Sequence, residues 1–70
     1  MARRKMTQRQ REAYEFIVAF TERNGYAPSG RELAEALGIT LRPAQKLINA
    51  LYIKDYIKKI PYSSRGIVLP

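Results

Sequence analysis

Seventy residues are enough for one domain and no more, and a chain this short buries only about 60% of the surface it exposes when unfolded. Thirteen Lys and Arg against six Asp and Glu leave a formal charge of +7, which draws polyanions to the surface. With no cysteine and no histidine, the chain has no disulfide, no thiol nucleophile and none of the usual zinc ligands.

The opening residues, Met1-Ala2-Arg3-Arg4-Lys5-Met6, are basic but lack the apolar run that follows the charges of a secretory signal. No later segment approaches the roughly 20 apolar residues of a membrane span. A cytoplasmic, nucleoid-associated protein without membrane contact is therefore expected. Residues 1–6 are expected to form a flexible basic arm, and 7–70 a single folded domain. Charge is segregated along the chain. Residues 1–11 hold five bases and no acid, 12–41 hold five of the six acids, and beyond them Asp55 is the lone acid. Basic ends around an acidic middle imply one face for a polyanion and another that avoids it.

Thr7 followed by Gln10 is a capping-box pair, so a first helix is expected to start there. Ala13, Phe16, Ile17 and Phe20 then recur at helical spacing as one apolar face, and Asn24-Gly25 supplies a left-handed stop. A second, short helix is signalled by the box Ser29-Gly30-Arg31-Glu32, with Pro28 before it, Leu33, Ala34 and Leu37 as its buried stripe and Gly38 at its end. Only Ile39 and Thr40 separate it from a third helix, the spacing of a helix-turn-helix. Thr40 is expected to cap that helix. Pro43 falls in its first turn, where a missing N–H costs little, and Ala44, Leu47, Ile48 and Leu51 point inward.

The opposite side of the third helix carries Arg42, Gln45, Lys46 and Asn49, spaced by 3, 4 and 7 and therefore on one face. One reading is the solvated polar face of any amphipathic helix. The other is a base-reading face, because all four side chains donate hydrogen bonds and none is acidic, whereas the first two helices carry Glu on their polar sides. After Asp55 the period shortens. Tyr56–Ile60 and Gly66–Leu69 read as two short strands joined by 61–65. The expected class is mainly α, a winged helix-turn-helix of three helices followed by a two-stranded hairpin.

The segments Met6-Thr7-Gln8-Arg9-Gln10-Arg11-Glu12, Gly25-Tyr26-Ala27-Pro28-Ser29-Gly30-Arg31-Glu32-Leu33-Ala34-Glu35-Ala36-Leu37-Gly38 and Ser64-Arg65-Gly66-Ile67 resemble the N-terminal domain of LexA-type repressors. The likeness runs from about Met6 to Leu69. It implies a bacterial or phage transcriptional repressor of the SOS-response type that binds duplex DNA through the third helix in the major groove. By that likeness Thr40, Arg42, Pro43, Gln45 and Lys46 read bases, and Ser63, Ser64 and Arg65 form a wing on the DNA backbone. Asn49 joins the base-reading set from helical phase. Arg3, Arg4, Lys5, Ser29, Arg31 and Lys54 are expected on phosphates, although Arg3, Arg4 and Lys5 equally read as a solubilising tail.

The chain departs from the family pattern in three ways. It stops before the self-cleaving C-terminal domain of such repressors, so no enzymatic activity, catalytic residue, cofactor or metal is expected in it. The turn into the third helix is one residue shorter than in familiar members. Gln45 and Lys46 stand where those members place acids, so a different operator is expected, since a carboxylate accepts from cytosine while Lys favours guanine or phosphate. The expected partner is double-stranded DNA, with weak homodimers on a palindrome and no small-molecule substrate. The rival class is a winged-helix module that docks a host regulator or polymerase. Leu41, Tyr52, Ile53 and Tyr62 are its candidate apolar contacts.

Overall fold

The structure, a computed structural model, describes residues 5–60 and 66–69. In chain order it contains α1 (Gln8–Asn24), α2 (Gly30–Leu37), α3 (Leu41–Ile53), β1 (Lys58–Lys59) and β2 (Ile67–Val68), the two strands pairing antiparallel. Three helices followed by a hairpin make the winged helix-turn-helix expected from the sequence.

Helix boundaries follow the local chemistry. At α1 the Gln10 amide donates to Thr7 Oγ1 at 3.2 Å while Thr7 N–H donates to Gln10 Oε1 at 3.1 Å. At α2 Ser29 and Glu32 repeat the exchange at 3.2 and 2.8 Å. Each box satisfies two amides that would otherwise lack partners. Gly25 and Gly38 end these helices at φ 80° and 67°, a conformation that costs a side-chain-bearing residue roughly 1–2 kcal/mol.

Thr40 occupies the N-cap of α3 in the same extended conformation but makes no side-chain cap bond. The expectation that it caps the helix holds for its position and not for its hydroxyl. The other two caps bond the amide three residues on, and here that residue is Pro43, which has no N–H.

The apolar stripes converge on one core. Ala13 and Ile17 of α1, Leu33 and Ala34 of α2, and Ala44, Ile48 and Leu51 of α3 are buried with Ala27, Ile57 and Ile67. Phe16, Leu37 and Leu47 pack half-buried against its rim. At eight residues, α2 is too short to persist alone in water; its stability comes from packing against α1 and α3. Its first turn lies close to α3, for a Cβ on Gly30 would stand 3.2 Å from Leu41 Cδ1 and 3.7 Å from Gln45 Cγ. That approach fixes the angle at which α3 is presented. At the far end of α3, Lys54 Nζ donates to Gln10 Oε1 at 2.6 Å and to the Lys5 carbonyl at 2.9 Å. The end of α3 is thereby tied to the start of α1.

The strands are shorter than expected. Tyr56, Ile57 and Ile60 lie outside β1, and Gly66 and Leu69 outside β2. The Tyr56 amide is already committed, since it closes α3 by donating to the Leu51 carbonyl at 2.9 Å, while Asp55 N–H reaches Tyr52 O at 3.1 Å. This is the left-handed helix ending that glycine usually supplies, built here on Asp55 at φ 66°. Pairing therefore begins at Lys58↔Val68 and Lys59↔Ile67, and Ile60 N–H adds a bond to Gly66 O at 2.7 Å. Ile57 and Ile67 anchor the hairpin in the core.

Candidate nucleic-acid interface

Burying the Ala44–Ile48–Leu51 stripe turns the other side of α3 to solvent, and Arg42, Gln45, Lys46 and Asn49 are all exposed there. They line an open groove of about 480 Å³ between α3 and the hairpin, together with Gly30, Ile48, Lys59, Gly66 and Ile67. No acid lines it. The groove thus presents two cations on α3, two amides able to donate or accept, and a third cation from the hairpin.

Lys59 was not among the sequence-derived candidates. Its Nζ donates to Asn49 Oδ1 at 3.4 Å and lies 5.4 Å from the centroid of the Tyr52 ring. The signal for it was strand alternation. Ile57 is buried, so the residue two positions on shares its face and leans toward the helices. Ile67, its cross-strand partner, is buried on that same face.

The remaining candidates spread more widely. Thr40 and Pro43 are exposed at the start of α3 but do not line the groove. Ser29 is half-buried with its hydroxyl occupied by the Glu32 amide. Arg31 is exposed beside a shallower hollow shared with Ala34, Glu35 and Leu41. Lys54 turns toward α1 rather than toward the groove, and the exposed Lys5 supplies its carbonyl to it. Arg3, Arg4, Ser63, Ser64, Arg65 and Tyr62 lie outside the described residues.

Comparison with known proteins bears on what such a surface serves. The family model described as LexA DNA binding domain matches residues 3–66. The chain belongs to this family. Among its relatives, LexA repressor 2 of Geobacter sulfurreducens is 46% identical over 66 residues, covering 91% of this chain and 32% of the relative. The LexA repressor of Thermosipho africanus is 38% identical over 66 residues, 94% of this chain and 33% of its own length. That of Koribacter versatilis is 40% identical over 63 residues, 89% of this chain and 30% of its own. The chain spans about a third of the length of these relatives. Among the described residues no helix is long and apolar enough to cross a membrane.

Proposed function

We propose that this chain is the operator-reading part of a LexA-type transcriptional repressor and binds duplex DNA with α3 in the major groove. The observation that carries the reading is the groove itself. Arg42, Gln45, Lys46 and Asn49 stand side by side in solvent, joined by Lys59, with no acid among the groove's lining residues. A 13-residue helix is about 20 Å long and fits a major groove about 12 Å wide.

Two contributions divide the binding. Lys and Arg neutralise phosphates and supply affinity in a salt-dependent way. Arg31 and the basic residues at the chain start and in the 61–65 segment, Arg3, Arg4, Lys5 and Arg65, belong here, with Ser63 and Ser64 as neutral donors; Thr40, a base reader by the family likeness, stands outside the groove lining and is placed here too. The first amides of α3 lack intrahelical partners and face the same way as a phosphate-binding helix start. Arg42, Gln45, Lys46 and Asn49 then discriminate bases, each good bidentate contact being worth about 1–3 kcal/mol. A module of this size buries roughly 600–1,000 Å² of its own surface on DNA, so we place two copies on a palindromic operator. Because Gln45 and Lys46 are not acids, that operator differs from the familiar one.

Mobility-shift titration against duplexes selected from a random library, at several salt concentrations, tests the proposal. Gln45→Ala with Lys46→Ala is expected to lower the preference for selected over scrambled duplex by roughly 10²-fold. Unchanged preference overturns the base-reading assignment.

A second reading, docking of a host protein, draws on apolar side chains left in solvent, chiefly Ile53 at 60% and Tyr52 at 46% exposure. It predicts that Ile53→Ser abolishes partner capture while duplex binding is either absent or indifferent to Gln45 and Lys46.

A further inference from the structure

Asn49 and Lys59 come from different elements, α3 and β1, and meet across the groove. Lysine carries three donors and no acceptor, so only the carbonyl end of the Asn49 amide can face it. The orientation of that amide is therefore set by chemistry: Oδ1 toward the hairpin, Nδ2 away from it. The Tyr52 ring beneath Lys59 Nζ gives the ammonium a second point of attachment.

This arrangement bears on what Asn49 can recognise. An asparagine reads adenine by accepting from the N6 amino group while donating to N7. With an ammonium on Oδ1, one lone pair is occupied and the local positive charge repels an approaching amino group. Nδ2 remains a donor. The side chain is left matched to base edges that only accept, guanine O6 and N7 above all.

Resting on the DNA-binding reading above, we propose that Lys59 is a specificity-determining positioning residue: by holding one lone pair of Asn49 Oδ1 it weakens Asn49 as an acceptor and leaves it chiefly a donor that favours guanine over adenine. Lys59 acts through Asn49, so its loss changes which base is preferred at one operator position rather than affinity for every duplex alike.

The test uses the 70-residue chain and library selection followed by competition titration at fixed salt. The base position read by Asn49 is the one whose preference disappears in Asn49→Ala. At that position the unaltered chain is expected to prefer guanine. Lys59→Met keeps the aliphatic stem over Tyr52 but removes the donor, and is expected to shift preference toward adenine by about tenfold. Lys59→Arg, which keeps a donor, retains guanine, and Lys59→Met in the Asn49→Ala background shifts nothing. Both Lys59 and Asn49 are exposed, and thermal melting by circular dichroism verifies that the variants fold.

A phosphate contact alone behaves differently. Lys59→Met then weakens all duplexes equally and reduces the slope of log K against log salt by about 1, and that result overturns the inference. So does adenine preference in the unaltered chain, or an Asn49→Ala variant with unchanged base preference. Failure of the unaltered chain to bind any duplex overturns both this inference and the reading on which it rests.

Discussion

The three helices of this molecule begin with the same backbone geometry and end up with different chemistry. Thr7, Ser29 and Thr40 share an extended N-cap conformation, with ψ of 169°, 169° and 171°. The first two exchange hydrogen bonds with Gln10 and Glu32, while Thr40, facing Pro43, exchanges none. The same division runs through the charges. Glu12, Glu15, Glu22, Glu32 and Glu35 all sit on α1 and α2, whereas α3, β1 and β2 contain no acid. The scaffold half ties up the amides at its helix starts. The α3–hairpin half leaves donors and cations in solvent, where a polyanion can use them.

The largest expected effect tests whether the first half is indeed scaffold. Leu33 is fully buried between the helices. Leu33→Ala is expected to cost about 2–5 kcal/mol, about half of what a 70-residue domain possesses at roughly 0.05–0.15 kcal/mol per residue. Urea denaturation followed by circular dichroism reads this directly. The exposed groove residues Gln45 and Lys46 are expected to change stability by no more than about 0.5 kcal/mol when replaced. A Leu33→Ala chain as stable as the parent breaks the comparison.

A smaller effect sharpens it. Ser29→Ala removes the hydroxyl that accepts from the Glu32 amide and leaves only the backbone half of the capping box, at a cost of about 1 kcal/mol. Because α2 presses against α3 at Gly30, loosening its first turn also loosens the helix proposed to read bases. The measurement is a paired one, stability by urea titration and duplex preference by mobility shift, with both expected to fall.

Most of the scaffold half was legible in the sequence because its signals are local. Capping boxes, glycine stops and 3.6-residue periodicity each span a few residues, and those at Thr7, Ser29, Gly25 and Gly38 were all read at their observed positions. The α3–hairpin half was less legible because its determinants are not local. Asp55 takes the left-handed position usually given to glycine, so the end of α3 left no glycine to mark it, and the strands were drawn too long. Two-residue spacing puts Lys59 on the face of Ile57, but its meeting with Asn49 depends on how the hairpin folds back on α3. Lys54 illustrates the converse. As one more cation near the helix end it reads as a phosphate contact, yet its ammonium is held by Gln10 and the Lys5 carbonyl.

The smallest effect goes to the origin of the asymmetry, which is the residue three places after each cap. If Pro43 is what idles the Thr40 hydroxyl, Thr40→Ala in the parent chain is expected to change stability by only a few tenths of a kcal/mol, against about 1 for a working cap. Pro43→Glu restores the missing N–H and adds the carboxylate that completes a capping box. It also loosens the unfolded chain, a loss of about 0.4–1 kcal/mol, so its net effect on stability is expected to be near zero. The informative quantity is the coupling. In the Pro43→Glu background Thr40→Ala is expected to cost about 1 kcal/mol, and the double-mutant cycle isolates the new cap from the proline effect. The same Pro43→Glu chain carries a carboxylate at the edge of the basic face, and duplex affinity at low salt is expected to fall by about tenfold. Zero coupling assigns the idle hydroxyl to some cause other than Pro43. Coupling without loss of affinity shows that this end of α3 stands clear of the DNA.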